Sequence, residues 1–173
     1  HKIFDVWKET APKFFDIIYE NNDRGSIHSW MQTYTPGRHA QIQCDFSVMI
    51  SKQYFDKFVL PELFSTSQFL DHTTYHLDGQ EQLRHLDSIL SVDRIDNIQW
   101  TSVAGQPRVS EFIPSLRKIQ NSGKGLILFP KFDEAEVLMK ELSHNGLLLI
   151  INDLQSEEEA QYLIHKAEAL AHK

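Results

Sequence analysis

The chain has 173 residues, 41% hydrophobic and 24% charged, as expected of a globular protein large enough to bury a core. Its longest apolar run, residues 147–151, is far shorter than the roughly 20 residues that span a membrane as a helix. The formal net charge of −7, without a lysine or arginine cluster, argues against a nucleic-acid partner, and the single cysteine, Cys44, excludes an intramolecular disulfide and a four-cysteine zinc site.

Strand and helix patterns alternate along the chain in units of roughly 25–30 residues, the size of a βα repeat. A helix is predicted at 3–19, with a break or a second start at Pro12, and a turn cluster follows at 21–25. Six strands are predicted after it, at 26–34, 41–46, 73–78, 97–101, 125–129 and 147–151. Helices are predicted between the later strands and after the last one, with Ser51 and Ser156 as N-terminal caps.

Single helices separate the later strands, which requires parallel pairing through right-handed crossovers. A (β/α) barrel and a doubly wound sheet both satisfy this requirement. No G-x-G-x-x-G sequence follows a strand, so the dinucleotide-binding form of the doubly wound sheet is disfavoured. We therefore expect one α/β domain over residues 1–173, of the (β/α) TIM-barrel type.

Polar side chains recur at every second position of three predicted strands, which places them on one face of the sheet. They are Gln41, Gln43, Asp45, Thr74, His76, Asp78, Asn97, Gln99 and Thr101. Burial of such a group without a partner costs roughly 1–3 kcal/mol, a cost more often tolerated in a functional site than in a structural interior. Asp45, Asp78, Gln99 and Asn152 fall near strand C-terminal ends, where barrel enzymes carry their chemistry.

Structural interpretations of the same residues remain open. His76 also suits a core histidine bonded to Asp78 or to a backbone carbonyl, and Asp45 suits a cap of the following helix. Cys44 is expected to be a small buried apolar residue, because alternation points it away from Asp45. Alternation also places Trp100 on the apolar face, where a core position would suit it.

Several short motifs, in order and at matching spacing, resemble the uroporphyrinogen decarboxylase superfamily, which includes the corrinoid-dependent methyltransferases. They are Gln43-Cys44-Asp45-Phe46-Ser47, Val59-Leu60-Pro61, Tyr75-His76-Leu77-Asp78-Gly79, Ile98-Gln99-Trp100 and Ala104-Gly105-Gln106-Pro107. The resemblance covers about residues 30–167. It implies a barrel of about twice this length, so that the chain, which begins at His1 rather than Met, is expected to be a fragment containing the later βα units.

The methyltransferase branch implies a zinc site. Its strand matching 73–79 carries a His-x-Cys pair, and a further cysteine ends the last strand. Here His76 matches the histidine, Asp78 replaces the first cysteine, and Asn152-Asp153 lies near the position of the second. The resemblance thus gives His76, Asp78 and Asp153 as candidate zinc ligands, and it implies a corrinoid methyl carrier or a corrinoid protein as cofactor or partner.

The sequence therefore suggests a methyltransferase-type enzyme acting on a small molecule at the strand C-terminal ends. His76 would be a metal ligand or a general acid/base, Asp78 its orienting carboxylate or a second ligand, and Asp45 a further catalytic contact. The candidate substrate contacts are Gln43, Gln99, Trp100 and Asn152.

Three other functions fit the same sequence: a decarboxylase acting on a tetrapyrrole, a non-catalytic binding module, or an inactive fragment. A partial barrel has two unpaired strand edges, so we expect a homo-oligomer that buries them. The absence of a recognisable signal peptide and the lack of disulfides favour the cytoplasm.

Overall fold

The computed structural model describes residues 2–21, 23–28 and 30–171. Its strands are β1 (Gly25–His28), β2 (Thr33–Pro36), β3 (His39–Gln43), β4 (His72–Asp78), β5 (Asn97–Thr101), β6 (Gly125–Leu128) and β7 (Leu147–Leu149). Its helices are α1 (Lys2–Asn21), α2 (Lys52–Tyr54), α3 (Leu60–Ser67), α4 (Leu86–Leu90), α5 (Ile113–Asn121), α6 (Phe132–Glu141) and α7 (Glu157–Ala171). A π-helical segment, Phe55–Val59, joins α2 to α3, so residues 52–67 form one continuous helix.

The central feature is a five-stranded parallel sheet in which β3 to β7 lie side by side in chain order. In its register Gln43 lies opposite His76, and His76 lies opposite Gln99. The same row continues through Ile127 to Leu148. The fold is thus mixed α/β, with a parallel sheet flanked by helices, as the alternating patterns predict.

Helices cover one face of this sheet. Most strand residues there are apolar, and they pack against the helix side chains in one continuous core. The strand members are Ile42, Tyr75, Leu77, Ile98, Trp100, Leu126 and Leu128, and the helix-borne members include Phe55, Val59, Leu63, Ile89, Leu116, Ile119 and Leu138. Successive strand residues point to opposite faces of the sheet. The polar residues at the intervening positions therefore point to the other face.

The opposite face meets the antiparallel hairpin formed by β1 and β2. Met31, in the hairpin turn, is fully buried and packs against Ile127 and Ile150. The hairpin therefore covers the β6–β7 side of this face with apolar contacts, while the β3–β5 side keeps its polar residues.

Three local predictions can be compared directly with the structure. The caps at Ser51 and Ser156 are confirmed, since their side chains accept hydrogen bonds from the backbone N–H groups of Tyr54 (3.4 Å) and Glu159 (3.2 Å). The break at Pro12 is wrong, because α1 continues through it. Trp7 and Phe15, on opposite sides of that proline in sequence, both pack on Phe69, and this shared tertiary contact supports the continuous helix.

Several predicted strands have different ends in the structure, and two of these differences bear on the site. The segment 26–34 is not one strand but a hairpin turning near Gln32, which has a φ of +52°. The strand predicted at 41–46 ends at Gln43, and Asp45 begins a short 3-10 helix, Asp45–Met49. Asp45 therefore lies just beyond the sheet rather than within it.

Within the described residues, no helix combines the length and the apolar character needed to cross a membrane.

Buried His39 gives the fold a pH dependence. Its ring is 8% exposed, its Nε2 lies 3.0 Å from the Thr74 hydroxyl, and burial lowers its pKa to about 4. The unfolded chain, with a histidine pKa near ~6.5, therefore binds a proton more readily than the folded one, so stability falls as pH falls below that value. Between pH ~7.5 and pH ~5 we expect this residue alone to remove about 2 kcal/mol from the free energy of unfolding.

Urea unfolding of the natural chain and of His39→Gln at these two pH values measures this effect. The glutamine can still bond Thr74 but does not titrate, so the variant should lose about 2 kcal/mol less on acidification. Equal losses in the two proteins would contradict the assignment.

Candidate functional site

Asp45, His76 and Asp78 lie together at the C-terminal ends of β3 and β4. Each offers one potential ligand atom, and these atoms all lie within 4.8 Å of one another. His76 and Asp78 occupy alternate positions of β4 and therefore share a face, and Asp45 approaches from the 3-10 turn after the neighbouring strand. His76 and Asp78 are half-buried and Asp45 is exposed, so the cluster is open to solvent on one side.

The orientation of His76 is fixed by Gln99 on β5. The Nδ1 atom of His76 is hydrogen-bonded to the Gln99 side-chain oxygen. The Gln99 amide nitrogen in turn donates to the Thr101 hydroxyl at 2.9 Å, and Gln99 is fully buried. Because the Gln99 oxygen can only accept, Nδ1 is the donor, and in the neutral imidazole Nε2 then carries the lone pair.

This is the arrangement that metal-bound histidines adopt. A ligating imidazole usually donates its second N–H to an oxygen, which sets both tautomer and ring orientation. Gln99 therefore contacts the candidate ligand His76 instead of, or in addition to, a substrate.

Asp45 is oriented by a row of hydrogen-bonded side-chain amides along β3. The Gln43 amide nitrogen donates to Asp45 Oδ2 at 2.9 Å, and Gln41 donates to the Gln43 oxygen. These contacts orient the carboxylate through one oxygen. Gln43, predicted as a substrate contact, thus also touches a candidate ligand.

Trp30 forms an aromatic wall beside the cluster. Its ring is edge-on to His76 with centroids 5.6 Å apart, and it stacks on Phe129 at 5.7 Å with an interplanar angle of 20°. The side chain is 44% exposed. A small molecule bound at Asp45, His76 and Asp78 would therefore meet an aromatic surface on its hairpin side.

Sequence reasoning missed Trp30, and no local signal could have revealed it. The hairpin turn contains neither glycine nor Asn-Gly at its centre, so segment 26–34 has the pattern of a single strand. The placement of Trp30 over His76 depends on long-range docking of the hairpin.

The remaining predicted site residues lie elsewhere. Asp153 is exposed, and its Oδ1 accepts a hydrogen bond from the Phe132 backbone N–H at 3.0 Å, at the start of α6. It is not in the group of close ligand atoms formed by Asp45, His76 and Asp78. Asn152 is exposed in the segment after β7, which β5 and β6 separate from β4.

Trp100 lies on the opposite face of the sheet from His76. It is 1% exposed, belongs to the apolar core and packs on Phe112 with ring centroids 4.9 Å apart. The structure therefore brings together Asp45, His76, Asp78, Gln43 and Gln99, but not Trp100, Asn152 or Asp153.

Comparison of the chain with protein-family models, with curated proteins and with solved structures found no match.

Proposed function

We propose that the chain binds one divalent metal ion through Asp45, His76 and Asp78, and that it acts on a small molecule held beside that ion. The observation that carries the proposal is the convergence of one imidazole and two carboxylates within 4.8 Å. The orientation of the ring by Gln99 supports it, because it leaves Nε2 available for coordination. Relative to the ligand set inferred from sequence, Asp45 takes the place of Asp153.

The donor set fits zinc and also harder ions such as manganese or ferrous iron. One nitrogen and two oxygens suit all of these ions, whereas a thiolate would favour zinc or copper(I). Cys44 adds no sulfur ligand, because it packs against the apolar core and burial raises the pKa of its thiol. Three protein ligands leave coordination positions for substrate or water.

The chain's own residues have distinct parts in this proposal. A bound divalent ion would supply Lewis-acid activation of a coordinated substrate atom. Asp45 and Asp78 would balance the positive charge, Gln99 and Gln43 would fix the ligand orientations, and Trp30 would exclude water from the hairpin side.

The proposed class of enzyme is uroporphyrinogen-decarboxylase-like and of the methyltransferase type. Strands in chain order, helices on one face and polar side chains on the other support a partial (β/α) barrel, whose interior would be the polar face. A corrinoid carrier, or a corrinoid protein as partner, is proposed from the motif resemblance alone. Self-association through the unpaired edges of β3 and β7 would complete the proposed assembly.

Metal titration tests the proposal. The natural chain, stripped with a chelator, should bind one equivalent of zinc by calorimetry. Cobalt(II) in the same site should give weak visible bands without the intense near-ultraviolet band of a cobalt–thiolate bond. Absence of saturable binding of zinc, manganese or cobalt would refute the metal site.

If the chain binds no metal ion, the second candidate function is general acid/base catalysis by His76. The closeness of the His76 ring to the Asp45 and Asp78 carboxylates, together with the hydrogen bond that orients it, favours that role. In that case a pH–activity profile would depend on His76 in the presence of a chelator.

A further inference from the structure

Two fully buried polar side chains, Gln82 and His85, support the 3-10 turn that carries Asp45. We infer that Gln82 and His85 are positioning residues, which fix Asp45 at the distance from His76 and Asp78 that a metal ion requires. This inference rests on the proposed function and extends it to residues that do not touch the ion. Both belong to the 3-10 helix Gln80–His85, directly after β4.

Gln82 connects the residue before Asp45 to the core. Its amide nitrogen donates to the Cys44 carbonyl oxygen at 3.2 Å, and its side-chain oxygen accepts from the Tyr75 hydroxyl at 3.3 Å. Tyr75 is itself fully buried in β4. The amide thus connects the polypeptide at Cys44 to a rigid strand.

His85 holds the turn two residues after Asp45. Its Nε2 lies 3.0 Å from the Ser47 carbonyl oxygen, and because a carbonyl only accepts, Nε2 is the donor. The ring stacks on Phe55 with centroids 4.3 Å apart and an interplanar angle of 10°. The buried Nδ1 has no hydrogen-bond partner among the described residues, which agrees with a neutral ring whose pKa burial lowers.

The Asp45 turn depends on these contacts because it has little support of its own. Cys44, its N-cap, makes no side-chain capping hydrogen bond, and Asp45 is exposed. The Cys44 and Ser47 carbonyls each accept one backbone bond within the segment, from Ser47 and Ile50, and one bond from Gln82 or His85. Gln82 and His85 therefore each donate a hydrogen bond to one of the two carbonyl oxygens that accept the backbone bonds of the turn.

The two positioning residues follow two of the candidate ligands closely in the sequence. His76 and Asp78 on β4 provide two candidate ligands, and the segment that follows immediately provides the two side chains that place the third. A shift of β4 would carry the positioning residues with it, so the three ligand atoms would stay together.

The test compares zinc affinities of folded variants. His85→Leu and Gln82→Met should each weaken zinc binding by about 10- to 100-fold, the usual effect of losing an outer-sphere support. His85→Gln, which keeps an N–H donor near the Ser47 carbonyl, should recover part of that loss. Circular dichroism and urea unfolding of the metal-free proteins establish that each variant is folded.

Lys124→Met is the matched control. Lys124 is also a buried residue, 7% exposed, and its Nζ donates to the Val92 and Ile95 carbonyls at 2.9 and 2.6 Å. It does so beside the first residue of β6, at the end of the sheet opposite to the site. Lys124→Met should lose stability but keep zinc affinity within about twofold, an effect that separates positioning from general destabilisation.

Each outcome is decisive. Zinc binding by the natural chain with unchanged affinity in both His85→Leu and Gln82→Met overturns the inference alone. An equal loss of affinity in Lys124→Met overturns it too, since any destabilisation would then suffice. Absence of zinc binding by the natural chain overturns the proposed function and this inference together.

Discussion

Replacing His76 with alanine is expected to reduce zinc affinity by at least about 100-fold while the chain remains folded. His76 is the single nitrogen donor of the Asp45–His76–Asp78 group, and histidine nitrogen is one of the ligands that zinc commonly takes in proteins. The change also leaves the buried Gln99 oxygen without its partner, which should cost about 1–3 kcal/mol of folding stability. Calorimetric titration with zinc and urea unfolding of the metal-free protein measure the two effects.

His144→Ala provides the control for His76→Ala. His144 is exposed and lies outside the candidate ligand group, so its removal should alter neither zinc affinity nor stability measurably. Asp78→Asn should weaken zinc binding as well, because it removes a charge from the group. Zinc binding of natural strength by His76→Ala would contradict the ligand assignment.

Replacing Trp100 with alanine is expected to lower the free energy of unfolding by about 3–5 kcal/mol. The side chain is 1% exposed, and its loss would leave a cavity beside Phe112 in the main core. Its indole Nε1 has no hydrogen-bond partner among the described residues, so the loss of stability comes from packing. Chemical denaturation of the two proteins gives the difference.

Trp100→Phe distinguishes a core role from a role in ligand contact. Phenylalanine keeps most of the apolar contact, so it should cost less than the alanine change and leave zinc affinity unaltered. Unchanged stability of Trp100→Ala together with altered zinc binding would show that Trp100 reaches the site. The structure, which places it on the opposite face from His76, predicts the reverse.

Strand alternation predicted the central part of the candidate site. Gln43, His76 and Gln99 were placed on one face from their two-residue periodicity, and the parallel register sets them opposite one another. The parallel sheet itself was predictable because helical patterns between successive strands leave few other connections. These features depend on local periodicity, which a single sequence contains.

The parts that sequence could not predict depend on tertiary contacts. Asp45 reaches His76 from the 3-10 turn after β3, and Asp153 instead accepts a hydrogen bond from the Phe132 backbone N–H at the start of α6. Trp30 reaches His76 only because the hairpin folds over the sheet. In each case the position of the residue depends on chain reversals that carry no distinctive sequence signal.

Anomalous scattering from a zinc-soaked crystal, recorded on both sides of the zinc absorption edge, would locate the proposed metal ion. The proposed site predicts one strong peak about 2.0–2.2 Å from His76 Nε2 and from one carboxylate oxygen each of Asp45 and Asp78. A peak that is absent at saturating zinc, or that lies at other side chains, would contradict it.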